Sequence, residues 1–303
     1  MIDITLLGTA ATMPLPDRAL SSVLLRTGGR TILFDCGEGT QSAARKAHVS
    51  LMKTDIIALT HYHGDHIFGL PGLLQTFGCL GRTEDLYITG PEGLKEVMET
   101  ILKLAGPMPY RIFLLQMPKD GIAFGGGTLN GFYVSHRIPA FGYSFTMKRQ
   151  GKFDAAKADE LGVPPDKRGI LQHGEDICVG GRLITPDMVI GAERRGLKFV
   201  FSGDTAPCDA LAENAKDADL LICDATYGDE ENTQEAAEYG HSTFAQAARI
   251  AQEANAKRLW LTHYSQMMDD PEEYLQNAAK IYPGVTVGQD GMSITLRFED
   301  DYD

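Results

Sequence analysis

Residues 55–66 read DIIALTHYHGDH, a short apolar run ending in four potential metal ligands, and this stretch restricts the fold more tightly than any other. The run 55–60 is short and apolar enough to read as a buried strand. His61 and His63 alternate after it, and on extended chain alternate side chains share a face. Gly64 lets the backbone turn, so Asp65 and His66 are aimed elsewhere. That spacing builds two adjacent sites rather than one. Imidazoles suit zinc, and a carboxylate adds a hard oxygen donor. A lone histidine at a strand end is ordinarily a polar end-cap, and His48 and His173 read that way. Four ligand-type residues in H-x-H-x-D-H are different, because burying them without a common partner is costly.

Three later residues repeat the pattern. His136 ends the run GFYVS, Asp204 follows KFVFS in the turn Ser202-Gly203-Asp204-Thr205, and His263 ends RLWLT. Strand ends gather along a sheet edge, where a site is normally built. The rest of the chain reads as strands over 2–7, 22–26 and 31–34, with Gly28-Gly29 closing a hairpin. Further strands are expected over 86–89, 112–116, 122–124, 131–135, 143–147, 198–202, 220–223, 258–262 and 293–298. Helices are expected over 37–47, 69–77, 92–104, 243–253 and 271–281. The order predicts two sheet-plus-helix halves packed sheet to sheet. It is read as one domain over 1–303, with an inserted arm at about 148–190 that is polar, holds Pro164-Pro165 and contains one short helix near 154–161.

Charge narrows the functions. The net charge of -13 argues against a protein that simply coats nucleic acid. Residues 144–200 nevertheless carry ten Lys or Arg against eight Asp or Glu, so a local basic surface remains compatible with the total. Cys36, Cys79, Cys178, Cys208 and Cys223 form no C-x-x-C pair and read as reduced thiols of a cytoplasmic protein. The opening MIDITLLGTA lacks a basic region, and no long apolar run exists, so neither a signal peptide nor a membrane span is expected.

H-x-H-x-D-H with a later His, an Asp and a final His resembles the metallo-β-lactamase superfamily. Other stretches resemble its ribonuclease Z branch, the tRNA 3′-end endonucleases. They are Leu33-Phe34-Asp35-Cys36-Gly37-Glu38-Gly39-Thr40-Gln41, Gly69-Leu70-Pro71-Gly72-Leu73, Ser202-Gly203-Asp204-Thr205 and Gly240-His241-Ser242-Thr243. The resemblance runs from Leu6 to Phe298. It implies an α/β metallo-β-lactamase fold, a four-layer αββα sandwich of two mixed β-sheets with helices on both outer faces. It also implies two zinc ions per chain, with other divalent metals such as manganese able to serve. His61, His63 and His136 would hold one, Asp65, His66 and His263 the other, and Asp204 would bridge them. Such a pair can activate a shared water and clamp a phosphodiester.

The resemblance further implies catalytic roles for Asp65, which would orient the water or take its proton, and for His241, which would serve the leaving oxygen. Ser242 or Thr243 could equally just start the helix over 243–253. Asp35 is expected either to support the metal site or to serve a turn. The implied partners are a precursor tRNA substrate and a second copy of the chain in a homodimer. Two positions depart from the family pattern: Asp166 stands after Pro164-Pro165 where a Gly is usual, and Asp224 precedes Ala225-Thr226 where a Glu is usual. The arm's departure keeps open a small-molecule phosphodiesterase or other metallohydrolase on the same fold. A non-catalytic binding protein would be expected to have lost a ligand, whereas all seven are present.

Overall fold

The structure, a computed structural model, describes residues 1–299. Its strands in chain order are β1 (Ile2–Gly8), β2 (Ser22–Thr27), β3 (Arg30–Phe34), β4 (Ile56–Ala58), β5 (Leu86–Thr89), β6 (Ile112–Leu115), β7 (Ile122–Phe124) and β8 (Gly127–Tyr133). They continue with β9 (Phe141–Arg149), β10 (Ile177–Val179), β11 (Arg182–Ile184), β12 (Arg194–Phe201), β13 (Leu220–Asp224), β14 (Leu259–Thr262), β15 (Val285–Val287) and β16 (Ser293–Leu296). Two sheets of seven strands result, in the orders β16-β1-β2-β3-β4-β5-β6 and β15-β14-β13-β12-β9-β8-β7. Both are mixed. In the first, β16, β1, β2 and β3 pair antiparallel and β3 to β6 parallel. In the second, β7 to β9 pair antiparallel and β12 to β15 parallel.

The side chains explain the layering. Phe34 of β3 is fully buried, and its ring lies 5.5 Å from Tyr143 of β9 and 5.8 and 6.0 Å from Phe199 and Phe201 of β12. These tilted and edge-on contacts stitch the inner faces of the sheets together. Leu33 points the other way because side chains alternate along a strand. It joins Ile57 and Ile88 in packing against Leu70, Leu73, Leu74 and Phe77 of the helix Leu70–Cys79 and Met98 and Ile101 of the helix Leu94–Ala105. On the far side, Leu221, Cys223, Leu259 and Leu261 pack against Phe244, Ala247, Ala248 and Ala251 of the helix Phe244–Glu253. The order is therefore helix, sheet, sheet, helix, as expected for a metallo-β-lactamase fold.

The chain divides into two compact units, 1–146 with 198 onward, and 147–197. The second unit has its own small core of Ala158, Val163, Leu171, Ile177, Ile184 and Val189. It holds more structure than the single short helix expected there. The helix Ala155–Glu160 is capped by Asp154, whose carboxylate accepts from the Lys157 backbone N–H at 3.0 Å. A second helix, Arg168–Gln172, and the hairpin β10–β11 follow. Its few apolar residues are spaced too irregularly to announce these elements.

Other expectations shift in the same way. β8 begins at Gly127 rather than 131 and ends before Ser135, while β12 begins at Arg194 rather than 198. The helix expected over 271–281 is a 3-10 turn, Pro271–Tyr274, followed by the short helix Leu275–Ala279. The helices Asp209–Ala215 and Thr233–Tyr239 and the strand β15 were not anticipated. Among the described residues no helix is long and apolar enough to cross a membrane, and all five cysteines are free thiols.

Candidate metal centre

Parallel strands end on the same edge of a sheet. Asp35 follows β3, and Thr60 to Asp65 follow β4. Asp204 follows β12, Asp224 is the last residue of β13, and His263 follows β14. The segment beyond β8 supplies His136. Two of these positions carry left-handed backbone on a residue other than glycine, Asp35 with φ 54° and His263 with φ 64°. Such backbone is uncommon and is held only where the surroundings over-determine it. Gly203, with φ 60°, brings Asp204 past Thr60 and Phe141 so closely that a Cβ would lie 2.9 Å from the Phe141 carbonyl oxygen.

The structure brings seven sequence-predicted residues into two clusters that share one carboxylate. His61, His63, His136 and Asp204 offer ligand-type atoms all within 4.8 Å of one another, and so do Asp65, His66, Asp204 and His263. Asp204 Oδ1 is 3.2 Å from His66 Nε2, and its Oδ2 is 3.2 Å from His263 Nε2 and 3.6 Å from His61 Nε2. Neither His48 nor His173 belongs to a cluster of this kind among the described residues.

Hydrogen bonding fixes how the imidazoles present themselves. The His66 Nδ1–H donates to Asp35 Oδ2 at 2.7 Å, and the His136 Nδ1–H donates to the Gly240 carbonyl at 2.8 Å. Thr60 Oγ1 gives its proton to Asp35 Oδ2 and can therefore only accept from His61 Nδ1, 3.0 Å away. Thr226 Oγ1 likewise gives its proton to Asp224 Oδ1 and accepts from His263 Nδ1 at 2.9 Å. By this assignment four rings carry their hydrogen on Nδ1 and turn a bare Nε2 inward. His66 Nε2 and His263 Nε2 then face each other at 3.3 Å, and His61 Nε2 and His136 Nε2 lie 3.0 and 3.2 Å from His63 Nδ1. Converging lone pairs at these distances repel unless a cation lies between them. The donor set, nitrogen with carboxylate oxygen, therefore fits divalent metal.

Electrostatics agree. Burial first, and the neighbouring imidazoles second, push His61 and His63 toward the neutral form, and burial does the same to His136. Neutral imidazoles are ligands rather than proton carriers. Burial opposes ionisation of Asp204 and Asp65, yet the imidazoles around them outweigh it and hold both carboxyls well below their ordinary range. His66 departs from this pattern: Asp204 and Asp35 raise it despite its burial, so its Nε2 beside Asp204 favours a bound cation, a proton or a metal, over a bare lone pair. A positive charge is what this pocket answers to.

His241 is outside both four-residue clusters but forms a third group of ligand-type atoms with Asp224 and His263, all within 4.8 Å of one another. Its ring stacks on His263 at 5.2 Å and lies 5.2 Å from that of His136. Its Nδ1–H donates to Asp224 Oδ2 at 2.7 Å. Burial disfavours its charge, but the Asp224 carboxylate prevails and raises its pKa to about 9. Thr243, not His241, caps the following helix, in a capping box with Gln246. Asp35 serves both alternatives read from the sequence: it forms the left-handed turn and holds Thr60 and His66.

Asp224 is the residue that sequence reasoning left without a role. It is fully buried, and besides His241 it accepts from the backbone N–H groups of Thr205 and Thr226 at 3.0 and 2.9 Å. A carboxylate as the last residue of an apolar strand was the available signal. Thr60, Thr226 and the Gly240 carbonyl gave none, because their contribution depends on which ring nitrogen they meet. A cavity of about 730 Å³ opens onto the site, and its lining includes His63, Asp65, His136, Asp204, Thr226, His241 and His263.

Residues 15–239 match the Metallo-beta-lactamase superfamily. A Ribonuclease Z of Lachnospira eligens is 40% identical over 303 residues, covering 99% of this chain and 100% of that one. A Ribonuclease Z of Clostridium beijerinckii is 43% identical over 308 residues, with 99% and 100% covered. The crystal structure of human tRNase Z, short form, superposes with a TM-score of 0.68 at 27% identity, covering 98% of this chain and 100% of that one.

Proposed function

Because the chain belongs to the metallo-β-lactamase superfamily and, within it, to the ribonuclease Z family, we propose that it is a metal-dependent endoribonuclease that removes 3′ trailers from precursor tRNA. The observation that carries the reading is the double donor cluster around Asp204 with a protonatable His241 beside it. We assign His61, His63 and His136 to one zinc ion, Asp65, His66 and His263 to a second, and Asp204 to both. Two divalent ions so held would make a shared water acidic enough to attack at neutral pH and would neutralise charge on the phosphodiester.

The chain's own groups supply the rest. Asp65 is ionised, and its Oδ2 accepts the Thr12 backbone N–H at 2.8 Å, which holds the carboxylate facing the cavity. We assign it to orient the water or to take its proton. His241 carries a proton that Asp224 keeps on the ring, and it gives that proton to the leaving oxygen as the phosphorus–oxygen bond breaks. Asp224 is a positioning residue. Its shorter side chain is no obstacle, since it reaches His241 directly, and the departure at this position does not favour a small-molecule substrate. The five free thiols support a cytoplasmic setting, and family membership supports a homodimer.

The decisive experiment incubates the zinc-loaded protein with a precursor tRNA bearing a 3′ trailer and, in parallel, with bis-p-nitrophenyl phosphate. His63→Ala controls for contaminating nuclease. A single cut just after the discriminator base, lost in the variant, is the expected result. Hydrolysis of the small diester without tRNA cleavage would keep the metal chemistry and overturn the substrate.

The support around the metals is testable separately. Asp35→Asn keeps the shape but removes the anionic acceptor for the His66 Nδ1–H. Metal affinity, read by chelator competition, is expected to fall about 10- to 100-fold. An unchanged affinity would mean that Asp35 serves only its turn.

A further inference from the structure

The cavity over the two clusters is lined by more acid than the clusters need. Glu38, Asp229 and Glu235 join Asp65 and Asp204 around it, and Arg137 is the only Lys or Arg among the lining residues. A polyanion entering this cavity meets negative charge on most sides. Among the described residues that line the cavity, Arg137 is the one Lys or Arg that can answer it.

Its setting suits that task. Arg137 directly follows His136, so its backbone is fixed at the edge of the donor clusters. Its guanidinium carbon lies 5.3 Å from the ring centroid of Tyr239, which is 42% exposed and lines the same cavity. The face of a guanidinium can rest on an aromatic ring while its N–H edge stays available to a phosphate. Arg137 makes no ion pair among the described residues, although three carboxylates beyond the clusters share the cavity. The turn that carries Tyr239 also holds Gly240, whose carbonyl accepts from His136, and His241. One turn therefore sets the cation, a cluster imidazole and the proton donor at fixed spacing. Gly240 is required there, because a Cβ would lie 2.9 Å from His136 Nδ1.

We propose that Arg137, braced on Tyr239, anchors a backbone phosphate of the RNA substrate next to the scissile one. This rests on the endoribonuclease reading above. The scissile phosphate is served by the donor clusters, while Arg137 is exposed at the cavity's edge, where the neighbouring nucleotide passes. The anchor also bears on substrate choice, because a small diester has no second phosphate to offer it.

The test is steady-state kinetics of the zinc-loaded parent, Arg137→Ala, Arg137→Lys and Tyr239→Leu on a precursor tRNA and on bis-p-nitrophenyl phosphate. Metal content is measured on each preparation. Arg137→Ala is expected to lose about tenfold more kcat/KM on the precursor than on the small diester, with the loss carried by KM. The dependence of log KM on log salt should become shallower by about one phosphate contact. Arg137→Lys should recover the salt dependence but not the full affinity, and Tyr239→Leu should fall between the parent and Arg137→Ala. An unchanged KM and salt slope in Arg137→Ala would overturn the proposal. So would equal losses on both substrates accompanied by loss of metal, which would mean that Arg137 acts only through His136. Failure of the parent to cleave the precursor would overturn the tRNA reading and this anchor with it, an outcome distinct from either.

Discussion

On the two-metal proposal, Asp204→Ala is expected to strip the protein of both metals and to lower kcat/KM on precursor tRNA by at least about 10³-fold. The carboxylate is 3% exposed and lies within 3.6 Å of three imidazole nitrogens, those of His61, His66 and His263. It is the one group common to both clusters, so its loss leaves two sets of three nitrogen or oxygen donors with no shared anion. Asp65→Ala, by contrast, removes a donor from a single cluster. Metal analysis after gentle purification should find the difference: near-complete loss from Asp204→Ala and partial loss from Asp65→Ala. Circular dichroism guards against simple unfolding. Two retained metals with activity within tenfold of the parent would sink the shared role.

The second large effect is selective. His241→Ala should lower kcat on precursor tRNA by about 10²- to 10⁴-fold, the usual worth of a positioned acid. It should lower turnover of bis-p-nitrophenyl phosphate far less, because p-nitrophenolate departs without needing a proton. Metal content should stay at the parent's level, since His241 is outside both four-residue clusters. Equal losses on the two substrates would argue that His241 steadies His263, on which it stacks, rather than serving the leaving oxygen.

Much of the site was visible in the one-dimensional chain because its donors sit where apolar strands stop. A run such as RLWLT is fixed by burial, and whatever follows it must lie at the sheet edge. The ligand types at 61–66, 136, 204 and 263 could therefore be placed on one rim without coordinates. What the sequence hid was the set of bonds that choose between two ring nitrogens. Thr60 and Thr226 each spend their proton on a carboxylate and so must accept from a histidine. That relation spans 25 residues for Thr60 and Asp35, and no local pattern records it.

The fold was legible to the same depth. Strands with both faces covered, such as β13 with all five residues buried, announced themselves. β8 has mostly half-buried residues and two glycines, so its first half carried no periodic signal. The helix Thr233–Tyr239 buries only Ala236, which leaves a polar run that nothing but its position in the fold makes helical. β15 is three residues long and is bounded by Gly284 and Gly288, which read as turn residues. In the unit 147–197, six small core residues are drawn from separate turns and a hairpin, and tertiary packing rather than pattern decides their structure.

Each cluster takes members from both sheets. His61 and His63 come from the first and His136 and Asp204 from the second; Asp65 and His66 meet Asp204 and His263, with a sequence separation of 197 between His66 and His263. Neither half of the chain contains a complete set of donors. A growing polypeptide thus lacks a complete four-donor set until Asp204 has been made for one cluster and His263 for the other, and the two sheets have closed on each other. Divalent metal held by these complete donor sets would be captured late in the life of this molecule. It would act as a lock on an assembly already formed, and not as a seed around which the chain is gathered.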